Sequence, residues 1–408
     1  MKCRHCGRDV TLPFVDLGSA PLSNAYLAAD ALREPEKWYP LRVLACTACW
    51  LVQTEDYAHR SELFSADYAY FSSFSTTWLE HAERYVTAMA ERFRLGAHSR
   101  VVEIASNDGY LLQYCVARGI PCLGVEPTAG TAQAARRKGI EVVEEFFGEQ
   151  MAGRLVAAGR SADLAVANNV LAHVPDINDF VAGFARLLKP DGVATFEFPH
   201  LLKLVQLNQF DTIYHEHYSY LSFAAVRGIF ERNGLGVFDV EELPTHGGSL
   251  RVYAQRSDGG RREISERVAW LSGEEVTAGI RTAGFYSGFQ AKADGVKDGF
   301  VSFLIEAKHS GKTVAAYGAA AKGNTLLNYA GIRPDLIQFV VDLNPAKQGK
   351  FMPGSRIPIV GEPRLKAAQP DLVVVLPWNL KAEIVHQLDY VRTWGGHMAT
   401  AVPCMEVV

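Results

Sequence analysis

One stretch, VVEIASNDGYLLQYCVARGIPCLGVE, most constrains what this chain can fold into. It begins with a short apolar run at Val101–Ile104, typical of a buried parallel strand, and continues with small and polar residues at 105–109. Residues 110–117 have apolar side chains at helical spacing, and a second apolar strand, Cys122–Val125, ends at the acid Glu126. An acid about 20 residues past such a loop can hold a ribose diol in a doubly wound fold. The stretch therefore predicts a nucleoside site at the carboxyl edge of a parallel sheet.

The charges at this edge indicate which nucleoside it would hold. A dinucleotide-binding loop needs three glycines so that its backbone can approach a pyrophosphate, whereas this loop has one, Gly109. Glu103, at the end of the first strand, would repel a phosphate and attract an ammonium or sulfonium group. These features favour S-adenosylmethionine (SAM) over NAD. The alternative is an ordinary strand–turn–helix unit with solvated acids.

The segments that follow alternate between strand and helix patterns. Strands are expected at residues 141–143, 163–167 and 193–198, and helices at 131–138 and 180–188. Strict alternation of this kind predicts a parallel, doubly wound α/β sheet.

A second α/β unit is expected from residue 313 onward, with strands at Val314–Tyr317, 339–342 and 372–376. Its first loop, GAAAKGNT, leads into a helix, whose N-terminal N–H groups attract anions, and Lys322 adds positive charge. The loop lacks the Walker pattern, so no ATPase is predicted. A nucleotide diphosphate on the substrate is one candidate ligand, and a Rossmann-like domain without a ligand is the alternative.

Four of the seven cysteines form two CxxC pairs, Cys3 with Cys6 and Cys46 with Cys49. Two such pairs can supply four thiolates in a tetrahedron, which predicts a structural zinc site. Two disulfides or a redox-active CxxC fit a cytosolic chain less well. A closed four-thiolate site would stabilise the fold of a small module whose own core is thin.

The length and composition limit the remaining possibilities. A chain of 408 residues suggests two to three domains, and 48% apolar residues with a net charge of −4 are typical of a globular protein without a nucleic-acid or anionic-membrane partner. The start, MKCRHCGRDV, has no apolar signal region, and no apolar run is long enough to span a membrane. We therefore expect a soluble cytoplasmic protein.

A second chemical stretch is FDTIYHEHYSY at residues 210–220, called here the histidine segment. Histidine titrates near neutrality and can act as a general base, Glu216 could orient an imidazole, and a tyrosine could donate to a developing oxyanion. In an alternative, His215 and His217 alternate as in a strand and bind a metal ion from one face. In another, the segment is a structural aromatic loop.

The order of these blocks resembles the sugar C-methyltransferases of antibiotic deoxysugar pathways. The blocks are the two CxxC pairs, DYAYFSS, EIASNDGYLLQ, ANNVLAHVPD, YHEHYSYLS, HGGSLRV, YGAAAKGNT and LPWN. The chain is most similar to C-3′-methyltransferases of the tetronitrose and mycarose type, which act on dTDP-4-keto-deoxysugars. The resemblance implies an α/β fold with a zinc-binding module (1–66), a central doubly wound SAM-methyltransferase sheet (67–256) and a C-terminal Rossmann-like domain (257–408) that helps to hold the dTDP-sugar.

The resemblance and the pattern of residues together give a set of expected site residues. The catalytic group is expected to contain His217, Tyr214, Glu216, Tyr68 (Tyr70 if the register differs) and His173. SAM is expected to contact Glu103, Ser106, Asn107, Asp108, Gly109 and Glu126, with Asn168 beneath it and Phe146 beside the adenine. The expected substrate contacts are Tyr70, Phe198, Arg251, Lys322, Asn324, Trp378 and Asn379. The chain is expected to act as a monomer.

The expected chemistry follows from the ketone at C-4′, which acidifies the hydrogen on C-3′. His217 would remove that proton, Tyr214 would stabilise the enolate oxygen, and Glu216 would orient the catalytic group. The carbon would then attack the methyl group of SAM. An O- or N-methyltransferase, or an isomerase or epimerase, acting on a nucleotide sugar stays open as an alternative.

Overall fold

The computed structural model describes residues 1–57 and 71–408 of the 408-residue chain. In its N-terminal module, β1 (Leu12–Ala20), β2 (Tyr39–Ala45) and β3 (Val52–Thr54) pair antiparallel. A fourth strand, β9 (Ser219–Tyr220), pairs with β3 although it lies far downstream in the sequence. Because β9 is the end of the histidine segment, this pairing holds the segment against the N-terminal module.

The central sheet has seven strands in the order β10-β11-β8-β7-β4-β5-β6. They are β4 (Val101–Ile104), β5 (Cys122–Val125), β6 (Glu141–Val143), β7 (Ala162–Asn168), β8 (Leu188–Pro199), β10 (Leu235–Leu243) and β11 (Ser249–Arg256). β4 to β8 pair parallel, which confirms the predicted doubly wound sheet, and β11 is antiparallel to both of its neighbours. The carboxyl ends of β4, β5 and β7 therefore lie side by side.

The C-terminal sheet has six strands in the order β14-β13-β12-β15-β16-β17. They are β12 (Val314–Tyr317), β13 (Val340–Val341), β14 (Ile359–Val360), β15 (Leu372–Val375), β16 (His397–Thr400) and β17 (Glu406–Val407), of which the last is antiparallel to β16. The strand order reverses between β12 and β15, and ligands of open α/β sheets bind in the crevice at such a reversal. The loops that follow β12 and β15 lie at this crevice.

Helices cover the sheets and connect the strands. They are α1 (Thr76–Phe93), α2 (Leu112–Ala117), α3 (Ala129–Arg137), α4 (Glu149–Ala157), α5 (Ile177–Leu187), α6 (Leu201–Gln206), α7 (Phe223–Arg232), α8 (Glu266–Ala278), α9 (Ala283–Tyr286), α10 (Phe289–His309), α11 (Ala321–Tyr329), α12 (Glu362–Ala368) and α13 (Lys381–Gln387). The Ser75 side chain caps α1 by accepting from the Trp78 N–H, and Asp176 caps α5 in the same way. Among the helices of the described ranges, none combines the length and apolar character that a membrane span requires.

The N-terminal module and the C-terminal domain share one apolar core. Phe14 of β1 stacks on Phe289 of α10 with ring centroids 4.4 Å apart, and buried residues of β2, α11 and β12 belong to the same cluster. Helix α8, by contrast, packs on the central domain, where the buried Glu275 carboxylate accepts the N–H groups of Phe223 and Ala224, each over 2.7 Å. The expected domain division at residue 256 stays a prediction.

Candidate active site

The loop after β4 is tightly folded at the carboxyl edge of the central sheet. Asn107 and Gly109 have positive φ angles of +50° and +76°, and a Cβ atom added at Gly109 would lie 2.4 Å from the Ile140 side chain. A residue other than glycine at position 109 would be strained by the positive φ angle, and its Cβ atom would collide with Ile140. The Glu126 carboxylate accepts the N–H groups of Asn107 (3.0 Å) and Thr128 (2.9 Å). Glu126, expected to hold a ribose, thus also fixes the shape of this loop.

Three carboxyl groups meet at this edge. Burial raises the pKa of the Glu103 carboxyl well above its usual range, an effect that a hydrogen bond with Tyr110 opposes and the nearby carboxylates of Asp108 and Glu126 increase. Within the described part of the chain, Glu103 Oε2, Ser106 Oγ and Asp108 Oδ1 are buried without a hydrogen-bond partner. Buried polar atoms without partners cost free energy, so these atoms suit a polar, cationic ligand such as SAM.

The other expected cofactor residues lie at the same edge. Asn107 Oδ1 accepts the N–H of Ser72 over 2.9 Å. Asn168 ends β7, beside the Tyr110 hydroxyl. Phe146 follows β6 and is 43% exposed. The structure therefore brings all the expected cofactor residues to one edge of one sheet.

His217 lies among aromatic rings of the histidine segment and the loop after β7. Its ring centroid is 4.0 Å from that of Tyr214 and 4.6 Å from that of His173. Its Nδ1 lies 2.8 Å from the carbonyl oxygen of Thr212, and because a carbonyl only accepts, the proton is on Nδ1. Burial, and then the neighbouring His173, lower the pKa of His217 well below its usual range. The ring is therefore neutral near pH 7, with the lone pair on Nε2.

The other members of the expected catalytic group have distinct surroundings. Burial lowers the pKa of His173 to about 4, and its ring bonds to the backbone carbonyl of Glu216. The Glu216 carboxylate accepts from the Asn24 side chain of the N-terminal module over 2.6 Å. The predictions for Tyr68 and Tyr70 fall outside the described residues. The structure therefore brings His173, Tyr214 and His217 together, with the Glu216 carboxylate directed to a second domain.

The alternative of a metal site made by the two histidines of the segment does not fit their contacts. His215 Nε2 lies 3.1 Å from the Pro40 carbonyl oxygen, and its ring meets Tyr39 edge-on, whereas His217 bonds to Thr212. Across residues 1–57 and 71–408, the four cysteines form the single group of side chains that could hold a metal ion.

The C-terminal domain completes one side of the site. The Lys322 ammonium, in the first turn of α11, donates to Asn379 Oδ1 over 3.0 Å and lies 4.8 Å above the ring of Trp378. The Trp378 indole N–H in turn donates to Asp211 Oδ2 over 2.7 Å. Burial lowers the pKa of Lys322 to about 8, although the charge of Asp211 opposes this. The loops after β12 and β15 therefore reach the start of the histidine segment.

The remaining expected substrate residues make internal contacts. Arg251 Nη2 donates to the buried Glu197 carboxylate over 3.0 Å, and its Nη1 lies 3.5 Å from Glu241. Phe198 is fully buried in the core of the central domain, and Asn324 is buried in α11. A substrate contact by any of these three stays a prediction, and for Arg251 it would compete with two carboxylates.

Two site residues were missed by the sequence analysis. Asp211 is the second residue of the histidine segment and is fully buried. His246 accepts from the Asn169 side chain over 3.2 Å, and burial lowers its pKa to about 4, with a further effect from Lys322. The adjacent Gly247 lies so close to Trp378 that an added Cβ atom would come within 2.5 Å of the indole ring. The HGGS turn was the available signal for His246, whereas a single acid between Phe210 and Thr212 gave little signal for Asp211.

The four cysteines form a compact cluster. All four Sγ atoms lie within 4.8 Å of one another, with 3.5 Å between Cys3 and Cys49 and 3.6 Å between Cys6 and Cys46. These separations are far longer than a disulfide bond of about 2.05 Å and suit four thiolates around zinc. The two-disulfide alternative is therefore wrong. Zinc bound there would stabilise the fold of the N-terminal module.

The zinc-type cluster is attached to the central domain by a short hydrogen-bond network. His5, within the first CxxC pair, bonds through Nδ1 to Asn178 Oδ1 over 2.8 Å, and the Asn178 amide donates back to the His5 carbonyl over 2.9 Å. Asn178 lies in the first turn of α5. We therefore expect that a change in the position of the cysteine cluster would also disturb the start of α5 in the central domain.

Comparisons with solved structures find methyltransferases over the central part of the chain. Magnesium protoporphyrin IX methyltransferase (ChlM) from Synechocystis PCC 6803, solved with bound SAM, is 16% identical, with 44% of this chain and 79% of that chain covered at a TM-score of 0.34. A S-adenosylmethionine-dependent methyltransferase from Clostridium acetobutylicum ATCC 824 is 12% identical, with 44% and 92% covered at a TM-score of 0.36.

Family models and a curated relative cover nearly the whole chain. The models describe a zinc binding domain (residues 3–64), a methyltransferase domain (78–240) and a C-methyltransferase C-terminal domain (244–403). C-methyltransferase NovU from Streptomyces niveus is 33% identical over 407 residues, which cover 100% of this chain and 96% of NovU. These findings confirm the predicted methyltransferase and its zinc-type module. The chain belongs to the family of SAM-dependent C-methyltransferases that includes NovU.

Proposed function

We propose that the protein transfers a methyl group from SAM to a carbon next to the ketone of a dTDP-4-keto-deoxysugar, with C-3′ as the expected carbon. The observation that carries the proposal is the His217 ring, whose Nδ1 is held by Thr212 and whose Nε2 is unprotonated near pH 7. The charge of Lys322 of the C-terminal domain acts on this ring, and His173, whose ring packs against it, follows β7 of the expected cofactor edge. A neutral, buried imidazole in that place is suited to remove a weakly acidic proton from carbon.

The first step is proton removal from the substrate. The C–H bond next to the ketone breaks, the proton passes to His217 Nε2, and the electron pair forms an enolate. The Thr212 carbonyl favours this transfer because it accepts from Nδ1–H and so stabilises the imidazolium that forms. Glu216 supports the geometry through its contact with Asn24, which fixes the segment between Tyr214 and His217.

Negative charge develops on the ketone oxygen in this step. Tyr214, whose ring lies against His217, can donate its hydroxyl hydrogen to that oxygen. Lys322, half-buried and positively charged below pH 8, supplies a cation on the side of the C-terminal domain. A positioned donor at a developing oxyanion typically contributes about 10²-fold to 10³-fold in rate.

The second step forms the carbon–carbon bond. SAM supplies an electrophilic methyl group, whose C–S bond breaks with the electron pair staying on sulfur to give S-adenosylhomocysteine. Glu103, Asp108 and Glu126 meet at the expected cofactor edge, and the positive charge of SAM would relieve the repulsion between carboxylates that contributes to the raised pKa of Glu103. The imidazolium of His217 then returns its proton to solvent. Alignment of the two bound substrates is a large part of the acceleration.

The nucleotide part of the substrate is assigned to the crevice of the C-terminal sheet. The loop after β12 is fixed there by contacts that leave little freedom: the Tyr26 hydroxyl donates to the Ala319 carbonyl over 2.6 Å, and Asp342 accepts the Ala319 N–H over 2.8 Å. Lys347 also donates to the Ala319 carbonyl, over 2.8 Å. A loop held in one conformation at a strand reversal suits the binding of a diphosphate.

Deuterium incorporation and mass spectrometry test this proposal together. The protein is incubated in D₂O with a dTDP-4-keto-2,6-dideoxyhexose, first without SAM and then with it. We expect deuterium at one carbon next to the ketone without SAM, and a product heavier by one methyl group at the same carbon with it. Since the ketone acidifies both C-3′ and C-5′, NMR of the product identifies the carbon.

The same experiment separates the alternatives. An O- or N-methyltransferase would add the methyl group without prior exchange at carbon. An isomerase or epimerase would exchange deuterium and rearrange the sugar without consuming SAM. Either result would contradict the proposed C-methylation.

A further inference from the structure

We propose that Asp211 and Lys322 bracket the hydroxyketone of the substrate, so that the enzyme selects a sugar with a hydroxyl group on C-3′ over its 3-deoxy and 3-amino counterparts. This inference rests on the proposed function and specifies the substituent that the sugar carries. The bracket is formed by one carboxylate and one ammonium group, which come from two different domains.

The carboxylate of Asp211 has an open acceptor. Asp211 is 0% exposed, and its Oδ2 accepts the Trp378 indole N–H over 2.7 Å. Its Oδ1 is also buried and has no hydrogen-bond partner within residues 1–57 and 71–408, although the nearby backbone N–H groups of Asp211 and Thr212 lower the pKa of the carboxyl. A buried carboxylate oxygen without a donor costs free energy, so a ligand hydrogen that donates to it would be bound favourably.

In the part of the chain that the structure describes, the Lys322 ammonium makes one hydrogen bond. Asn379 Oδ1 takes one of its three N–H groups over 3.0 Å, and the Trp378 ring lies beneath the charge at 4.8 Å. Trp378 is therefore shared: its ring faces Lys322, and its N–H holds Asp211. This arrangement places a cation over the face of one indole ring and an anion at its N–H edge.

The chemistry of the pair matches a hydroxyl next to a ketone. The ketone oxygen can only accept and would take an N–H of Lys322, whereas the neighbouring hydroxyl can donate to Asp211 Oδ1. A 3-deoxy sugar would leave Asp211 Oδ1 without a donor. A 3-ammonium group would bring a second positive charge close to Lys322. The site also lies beside the proposed base, because Thr212, the residue after Asp211, accepts from His217 Nδ1–H over 2.8 Å.

The proposed binding mode would also account for the location of Asp211 and Lys322 at a contact between two domains. Asp211 belongs to the histidine segment, and Lys322 and Trp378 belong to the C-terminal domain. The Thr325 hydroxyl, one turn after Lys322, donates to the Ile213 carbonyl over 2.9 Å. This bond holds α11 against the histidine segment. The contact fixes the distance between the proposed base and the ketone-binding cation.

The test compares three sugars with wild-type protein and two variants. The sugars are a dTDP-4-keto-2,6-dideoxyhexose with a 3-hydroxyl group, its 3-deoxy analogue and its 3-amino analogue. The variants are Asp211→Asn and Lys322→Met. Matched controls are Asp335→Asn and Lys308→Met, which alter an exposed ion pair of 2.8 Å on the C-terminal domain. The readouts are kcat/KM for methyl transfer, deuterium incorporation without SAM, and the Kd of each sugar by calorimetry.

We expect wild-type protein and both controls to prefer the 3-hydroxy sugar over the 3-deoxy sugar by about 10²-fold in kcat/KM. In Asp211→Asn the preference should fall below about tenfold, because the charged acceptor is lost. Lys322→Met should slow deuterium incorporation about 10²-fold for all three sugars, because the ketone loses its cation. A merely structural role for Asp211 would slow all the sugars equally and leave the preference unchanged.

Two results would overturn the bracket. One is a wild-type protein that uses the 3-deoxy or 3-amino sugar as well as the 3-hydroxy sugar. The other is a hydroxyl preference that Asp211→Asn retains. If wild-type protein turned over none of the sugars, the proposed function would fail. The Kd values would then test the binding of the hydroxyl group by Asp211 on its own, and equal Kd values for the 3-hydroxy and 3-deoxy sugars would overturn it.

Discussion

The Nδ1 atom of His217 lies 2.8 Å from the carbonyl oxygen of Thr212, five residues earlier in the same segment. This bond fixes both the tautomer and the orientation of the ring, because the carbonyl accepts from Nδ1–H. The rings of Tyr214 and His173 pack against it, and the charge of Lys322 acts on it.

Tyr214→Phe should lower kcat for methyl transfer by about 10²-fold, because it removes one donor at the developing oxyanion. The phenyl ring keeps the contact with His217, whose centroid lies 4.0 Å away, so the base should stay in place. SAM affinity, measured by calorimetry, should not change. An unchanged kcat would show that Tyr214 does not donate to the oxyanion.

The pH dependence of kcat/KM should have a plateau from below pH 6.5 to about pH 8. Burial lowers the pKa of His217 well below its usual range, so the base is neutral on this plateau and becomes protonated only at lower pH. On the alkaline side, Lys322 loses its charge around its pKa of about 8. Lys322→Arg should move the alkaline decline to higher pH, because arginine stays charged. An activity that keeps rising above pH 9 in wild-type protein would contradict this account.

Stability should fall as pH decreases from 7 to 5, partly because of the buried histidines. His246 has a pKa of about 4 in the folded protein and 6.5 as the ordinary value, so below pH 6.5 the unfolded chain binds a proton that the folded protein does not. For this one group the loss between pH 7 and pH 5 is about 2 kcal/mol.

His246→Asn should remove that part of the pH dependence. Urea denaturation of wild-type and variant protein at both pH values measures it. Carboxyl groups with raised pKa values, such as Glu103, act in the opposite direction, but they are common to both proteins and cancel in the comparison. Equal losses of stability for the variant and the wild type would show that His246 does not titrate in this way.

Much of the chemistry could be predicted from the sequence because its signals are local. The strand, loop and acid from Val101 to Glu126 lie close together in the chain, and the two CxxC pairs have the spacing typical of zinc ligands. Both predictions needed only the period of apolar residues and the chemistry of a few side chains.

The contacts that were not predicted join distant parts of the chain. Glu216 contacts Asn24 across 192 residues, and Trp378 contacts Asp211 across 167. Arg251 was expected among the substrate contacts, but the pairing of β8 with β11 places it opposite Glu197, which accepts from it. Such partners depend on the packing of whole domains, which the pattern of a single segment does not encode.

Loss of the metal should destabilise the whole protein. Cys46→Ser should reduce zinc content, measured by mass spectrometry of the metal, and lower the Tm by more than about 5 °C, because the cluster supports a module that is joined to α5 through Asn178. Cys404→Ser is a matched control, since Cys404 is exposed and outside the cluster. Full stability of metal-free Cys46→Ser protein would contradict a structural role for zinc.

The central claim is that His217 removes a proton from carbon, and the most direct test is deuterium incorporation without SAM. Wild-type protein and His217→Asn are incubated in D₂O with the dTDP-4-keto-2,6-dideoxyhexose, and the sugar is followed by NMR. The account predicts rapid exchange at one carbon next to the ketone in the wild type and a loss of at least about 10³-fold in the variant, with SAM affinity unchanged. Exchange at a near-wild-type rate in His217→Asn would contradict it.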